Sequence, residues 1–196
     1  MGWLRYLIWL LVICAAGPFC APAVMAAAAP VEPSPVRISY PAGHYPELRL
    51  PDGRHVAVHS LLNITRPMHF GDFVWNEANV PQGAVWVRVD LSRQILSVFR
   101  DGHEIGSAVI LYGSDHTPTP VGRFPILEKN AHYYSHTYQV PMPYMLRLTN
   151  DGVAIHASSV REGWATHGCI GVPPDFARLL FTTAGKGTPV DILPAR

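Results

Sequence analysis

The sequence predicts a mainly β domain with one or two helices. Three observations carry that reading. Apolar and polar residues alternate between 85 and 111, Asp-Gly and Asn-Asp-Gly turn signals separate the runs, and a helical spacing of apolar residues stands out only at 174–184.

Residues 85–91 (VWVRVDL) put Val85, Val87 and Val89 on one face and Trp86, Arg88 and Asp90 on the other. Residues 94–100 (QILSVFR) read as a second strand, Asp101-Gly102 as a hairpin turn and 103–111 (HEIGSAVIL) as the return. Further strands are expected at 122–127, 144–149, 153–156 and 190–193, with Asn150-Asp151-Gly152 turning between two of them. Pro174 to Ala184 is the clear helix, with Phe176, Leu179 and Leu180 on one face and Gly185 past its end. The stretch 128–143 reads as a loop rich in Tyr, His and Met, either a lid or an ordinary surface loop.

The N-terminal residues have a different character. Arg5 is the only charge before Glu32, and Tyr6 to Ala16 (YLIWLLVICAA) is an apolar run. Val24-Met25-Ala26 offers a small–x–small cleavage site, so residues 1–26 are read as a signal peptide cleaved after Ala26. An uncleaved anchor ranks second, because the run is short and is followed by Pro18 and Pro22, and lipid attachment at Cys20 ranks third. Residues 27–36 form a Pro/Ala-rich linker, and residues 37–83 an N-terminal extension that packs on the domain at 84–194. Export to a periplasm or cell envelope is expected, with membrane contact only through the signal segment.

Cleavage changes the charge and the cysteine count. Loss of Arg5 takes Lys+Arg from 15 to 14 against 14 Asp+Glu, so the remaining chain is neutral and shows no electrostatic footprint for nucleic acid. Cys14 and Cys20 also leave, and Cys169 becomes a lone thiol that can make no internal disulfide. In an oxidising compartment such a thiol is buried or used.

The chemistry concentrates in Ile155 to Pro173 (IHASSVREGWATHGCIGVP). His156 ends a strand, and Thr166-His167-Gly168-Cys169 closes the loop after it. An imidazole can take the thiol proton, backbone N–H groups can hold an oxyanion, and the helix beginning near Pro174 offers its positive end. On the residues alone, His156, His167 and Cys169 are equally open to being metal ligands or packing residues around a turn. His44, His55, His59, His69, His103, His116, His132 and His136 show no metal-ligand spacing.

The segment resembles the signature of the L,D-transpeptidase family, a His, a loop, then Ser/Thr-His-Gly-Cys. VDLSRQILSVFRDG (89–102), YGSDHTPTPVGRF (112–124), PMPYMLRL (141–148) and GTPVDIL (187–193) are similar to other parts of that catalytic domain, about residues 84–194 in all. The resemblance implies a β-sandwich-like L,D-transpeptidase catalytic domain, with peptidoglycan stem peptides as partners and neither metal nor organic cofactor; the chain is expected to act as a monomer. It implies Cys169 as nucleophile, His156 as general base, and the backbone of His167, Gly168 and Cys169 as oxyanion hole. Thr166, Tyr138, Met142 and Arg161 are the candidate substrate contacts. The sequence departs from the family at Gly171, where many members carry Arg or Asn, and Arg123, Arg147 or Arg161 are the candidates for a replacement cation. Water as acceptor would give a carboxypeptidase or endopeptidase. A wall-binding module and a zinc hydrolase are the rivals of other classes.

Overall fold

The computed structural model describes residues 36–195. The signal-like segment and all but the last residue of the linker lie outside them.

The first sheet is built on a meander. β6 (Val85–Asp90), β7 (Ile95–Arg100) and β8 (His103–Val109) pair antiparallel, and the Asp101-Gly102 turn joins the last two. β14 (Pro189–Leu193) returns from the C-terminal end to pair parallel with β6, and β9 (Gly122–Pro125) closes that edge. The second sheet runs β10 (Glu128–Ser135), β11 (Val140–Arg147), β12 (Ala154–Ala157) and β13 (Ile170–Val172), with β12 and β13 parallel. The one helix among the described residues is α1 (Pro174–Thr183), which buries Phe176, Ala177 and Leu180.

One core joins these layers. Val87, Val89, Leu96 and Val98 from the first sheet meet Leu146, Ile155, Ile170 and Val172 from the second, with Phe176 and Leu180 of α1. Burying such side chains supplies the main driving force for folding, about 1.5–3 kcal/mol each.

The extension does more than pack on the domain. β1 (Ile38–Ser39) pairs β4 (Ser60–Leu61), β4 pairs β8 in parallel at Ser60 and His103, and β5 (Phe73–Trp75) pairs β8 antiparallel. β2 (Glu47–Arg49) and β3 (His55–Ala57) form a separate hairpin. This covers the outer face of the meander: Trp86 stacks on Phe99 at 4.2 Å, and both pack with Leu50 and Val58. Hence β6 is buried on both faces where its alternation predicts one.

The stretch 128–143 is not a loop. It is β10 and the first half of β11, paired from Glu128 with Arg147 to Ser135 with Val140, with only 136–139 as the turn.

Candidate active site

Cys169 lies at the end of the crossing that carries the chain from β12 to β13. The parallel ladder sets Ile155 opposite Ile170 and His156 opposite Gly171. The Thr166–Cys169 segment is held from the other side by residues 111–119. Thr166 N–H donates to the Tyr112 carbonyl at 2.9 Å, and its own carbonyl accepts from Ser114 N–H at 3.1 Å. The Thr166 hydroxyl donates to the Cys169 carbonyl. Thr119 is the buried centre of this brace: its Oγ1 accepts from Gly113 N–H and donates to the Gly168 carbonyl, each at 2.9 Å.

Gly168 has φ +103°, a conformation that a side chain disfavours, and a Cβ at Gly113 would fall 2.9 Å from Gly168 Cα. The turn before the thiol is therefore set by backbone contact. Among the described residues, no hydrogen bond takes up the backbone N–H of His167, Gly168 or Cys169. Those donors remain for an oxyanion.

The thiol is buried, 8% exposed. Its nearest acceptor is the Gly152 carbonyl at 3.8 Å. Burial pushes its pKa up, and the Ala154 N–H works against that by favouring the thiolate. His156 is pushed the other way. Burial disfavours its imidazolium and lowers its pKa, opposed by a hydrogen bond to the Ala157 carbonyl. Its Nδ1 lies 2.9 Å from that oxygen, so Nδ1–H donates there and Nε2 keeps its lone pair. The thiol and the imidazole border one hollow, and the burial of each favours its neutral form.

Two hollows meet at Cys169. One, about 340 Å³, is lined by Thr117, Ser135, Tyr138, Asp151 and Gly152 among others. The second, about 260 Å³, is lined by Tyr138, Val140, Met142, His156 and Thr166. Met142, Tyr138 and His167 border both, and the Tyr138 and His167 rings stack at 5.0 Å.

The structure therefore brings Cys169, His156, Thr166, His167, Gly168, Tyr138 and Met142 to one place. Arg161 is elsewhere: it lines a different hollow with Met68, His69 and Phe70, and stands over the Trp164 ring at 5.3 Å. Of the other cations, Arg123 is held by buried Asp191 at 3.1 Å and Arg147 by Glu128 at 2.7 Å. None of the three borders the thiol.

The helix dipole is a second correction. β13 and Pro173 carry the chain away in extended form before α1 begins. At about 3.3 Å per residue that is roughly 16 Å, beyond the first-turn reach of a helix end.

The sequence resemblance took in Gly113 and Thr119 within residues 112–124 but gave them no role, because they touch the motif only through the fold. It also missed the reason for Gly171. That residue exchanges two backbone hydrogen bonds with Leu111, at 2.9 and 3.0 Å, and a Cβ there would fall 2.8 Å from Ser158 Cβ.

Residues 84–192 match the model of the YkuD family, the L,D-transpeptidase catalytic domain. The chain belongs to this family. L,D-transpeptidase 1 of Mycobacterium tuberculosis is 28% identical over 120 residues, 53% of this chain and 48% of that protein. The chain thus spans about half the length of the curated relatives it matches. Among solved structures, an L,D-transpeptidase of Stackebrandtia nassauensis superposes with a TM-score of 0.54 at 28% identity, covering 59% of this chain and 58% of that one. A cysteine-to-serine mutant of an Enterococcus faecium L,D-transpeptidase gives 0.52 at 28%, covering 57% and 50%. The avibactam carbamoyl enzyme of Ldtfm gives 0.51 at 30%, covering 57% and 49%. The mainly β architecture read from the sequence is the L,D-transpeptidase fold.

Proposed function

We propose that the protein is an exported transpeptidase that cross-links peptidoglycan stem peptides through a thioester on Cys169. The observation that carries this reading is that His156 and the buried Cys169 border one cavity, beside backbone N–H groups for which no acceptor is found among the described residues.

The thiol sulfur attacks the donor carbonyl carbon as His156 Nε2 takes the thiol proton. The oxyanion is held by backbone N–H groups of the 167–169 turn. The C–N bond then breaks, the proton passes to the departing amine, and a thioester remains. The side-chain amine of a neighbouring stem attacks the thioester, loses a proton to His156, and the sulfur is reprotonated as the new amide leaves. Each attack, by the thiol and then by the amine, begins from the neutral imidazole that burial favours, and the imidazolium it forms is short-lived because it passes its proton on to the leaving group.

Two hollows that meet at the thiol support transfer to an amine over hydrolysis, because donor and acceptor can then approach it from different sides. Tyr138 and Met142, common to both, are the proposed substrate contacts, with Thr166 holding the turn. Export follows from the signal-like segment, and delivery to a periplasm or cell envelope brings the enzyme to its substrate.

The test is intact mass spectrometry of the purified protein with a stem tetrapeptide, with and without an amine acceptor. An acyl adduct on the wild type but not on Cys169→Ala, discharged to a cross-linked product by the amine, is the expected result. Discharge to water alone would make the protein a carboxypeptidase, and an adduct on Cys169→Ala would overturn the mechanism. A carbapenem, whose strained amide imitates the donor carbonyl, is expected to leave its own adduct on Cys169.

A further inference from the structure

Three residues with no shared sequence motif converge at the tip of the β7–β8 hairpin. His59 comes from the extension, Asp101 from the hairpin turn and His103 from the first position of β8. One ligand atom from each, a ring nitrogen or a carboxylate oxygen, lies within 4.8 Å of the other two.

The backbone fixes this meeting. His59 N–H donates to the Gly102 carbonyl at 2.8 Å, and the next residue pairs with His103 in the β4–β8 ladder. The two imidazoles touch edge to face at 5.2 Å, and Tyr45 packs on the outer side of His59 at 4.3 Å. His103 Nδ1 is held by the buried Ser60 hydroxyl at 2.8 Å, and Ser60 Oγ also accepts from Arg37 Nε at 2.9 Å. A hydroxyl that orients one ring nitrogen while the other stays available is how metal-bound histidines are commonly braced from behind.

We propose that His59, Asp101 and His103 form a binding site for a zinc-like divalent ion that fastens the extension to the catalytic domain. Two imidazoles and one carboxylate suit a borderline transition metal, with water completing the coordination. Tetrahedral bonds of about 2.0–2.1 Å put ligand atoms roughly 3.4 Å apart. The present spacing, within 4.8 Å, closes to that by side-chain rotation, with His103 held on β8 and the His59 backbone held by its bond to Gly102. The match to the family covers residues 84–192, so His59 lies outside it and the two other ligands inside. A bound ion would tie the two together where β4 contributes only a short ladder. The site is separate from Cys169 and borders neither of its hollows.

The experiment is calorimetric titration of chelator-stripped full chain with Zn²⁺, beside thermal melts and amide exchange. Wild type should bind an ion whose affinity falls at least tenfold in Asp101→Asn and in His59→Ala. The melting midpoint should rise by roughly 5 °C or more at a hundredfold excess over Kd, and this rise should vanish in both variants. Amides of residues 37–64 should gain protection with the ion. Asp101→Asn is an exposed isostere that leaves the Ser60–His103 contact in place, so a folded variant is expected. Zn²⁺ binding equal to wild type in Asp101→Asn and His59→Ala, or no binding by wild type, would overturn the proposal. None of these readouts depends on peptidoglycan chemistry.

Discussion

β7, at the centre of the first sheet, and β10, at the edge of the second, have opposite surroundings. Every position of β7 after Ile95 is buried, whereas β10 buries only Ser135 and exposes Tyr133 and Tyr134. β7 is covered on one face by the common core and on the other by the extension, through Trp86, Phe99, Leu50 and Val58. The β10–β11 hairpin instead offers Tyr133, Ser135, Tyr138 and Met142 to the hollows around Cys169. The first sheet is buried on both faces, and the second borders the hollows of the proposed site. Substitutions in the two should fail in different assays.

The largest effect should come from Cys169→Ala. Cross-link formation is expected to fall on the order of a thousandfold or more, with the near-UV circular dichroism of the wild type retained. His156→Gln should cost about 10²–10⁴ in kcat/KM, again with the fold intact. The pH profile sharpens the same point. Burial holds the His156 pKa below the ordinary histidine value, and the base must be neutral to work. The acid limb of kcat/KM should therefore lie below that value, with activity lost as pH falls through the depressed pKa. A limb above it would mean that the resting site is a thiolate–imidazolium pair instead.

The converse effect is expected in the first sheet. Arg123→Met strands the Asp191 carboxylate, which is 0% exposed, and should cost about 3 kcal/mol in denaturant unfolding while catalysis at low temperature is kept. Gly171→Arg sits between the two regimes. Its Cβ meets Ser158, so about 1–3 kcal/mol of destabilisation is expected, partly restored by a second change, Ser158→Gly. The smallest effect should be that of Tyr138→Ala, a few-fold rise in KM with little change in kcat, measured by steady-state kinetics; a change in kcat alone would move Tyr138 into the chemical step.

How much of this was legible depended on element length and on Pro. The meander could be read because Val85, Val87 and Val89 alternate with Trp86, Arg88 and Asp90 and because Asp101-Gly102 marks its turn, and α1 because helical burial leaves a period in the sequence. β1 to β5 run two or three residues each, too short to show one. β11 was concealed by Pro141 and Pro143, which ordinarily argue against a strand. They are tolerated because β12 pairs only with Leu146 and Arg147, leaving the other edge of the first half of β11 without a ladder partner. His156 and Cys169 were legible from a local motif. The Gly113–Thr119–Gly168 brace was not, since Thr119 and Gly168 lie 49 positions apart along the chain and meet only in the fold. Arg161 was misplaced because an exposed cation near the motif in sequence need not face the same hollow.

The parallel pairing of β12 and β13 has a consequence for how such an enzyme can diversify. Parallel neighbours cannot be joined by a tight turn, so a long crossing between His156 and Cys169 is obligatory. Its last part is clamped to residues 112–119, but Arg161 to Ala165 are exposed. Lengthening a surface crossing costs little, because closure entropy grows only with the logarithm of its length. Extra chain inserted at 161–165 can thus build out the surface beside the hollows that Arg161 and Trp164 line, while the ladder keeps Ile155 opposite Ile170 and so fixes His156 relative to Cys169. That makes this short segment the natural port for grafting a new recognition element onto the domain with His156 and Cys169 left in place.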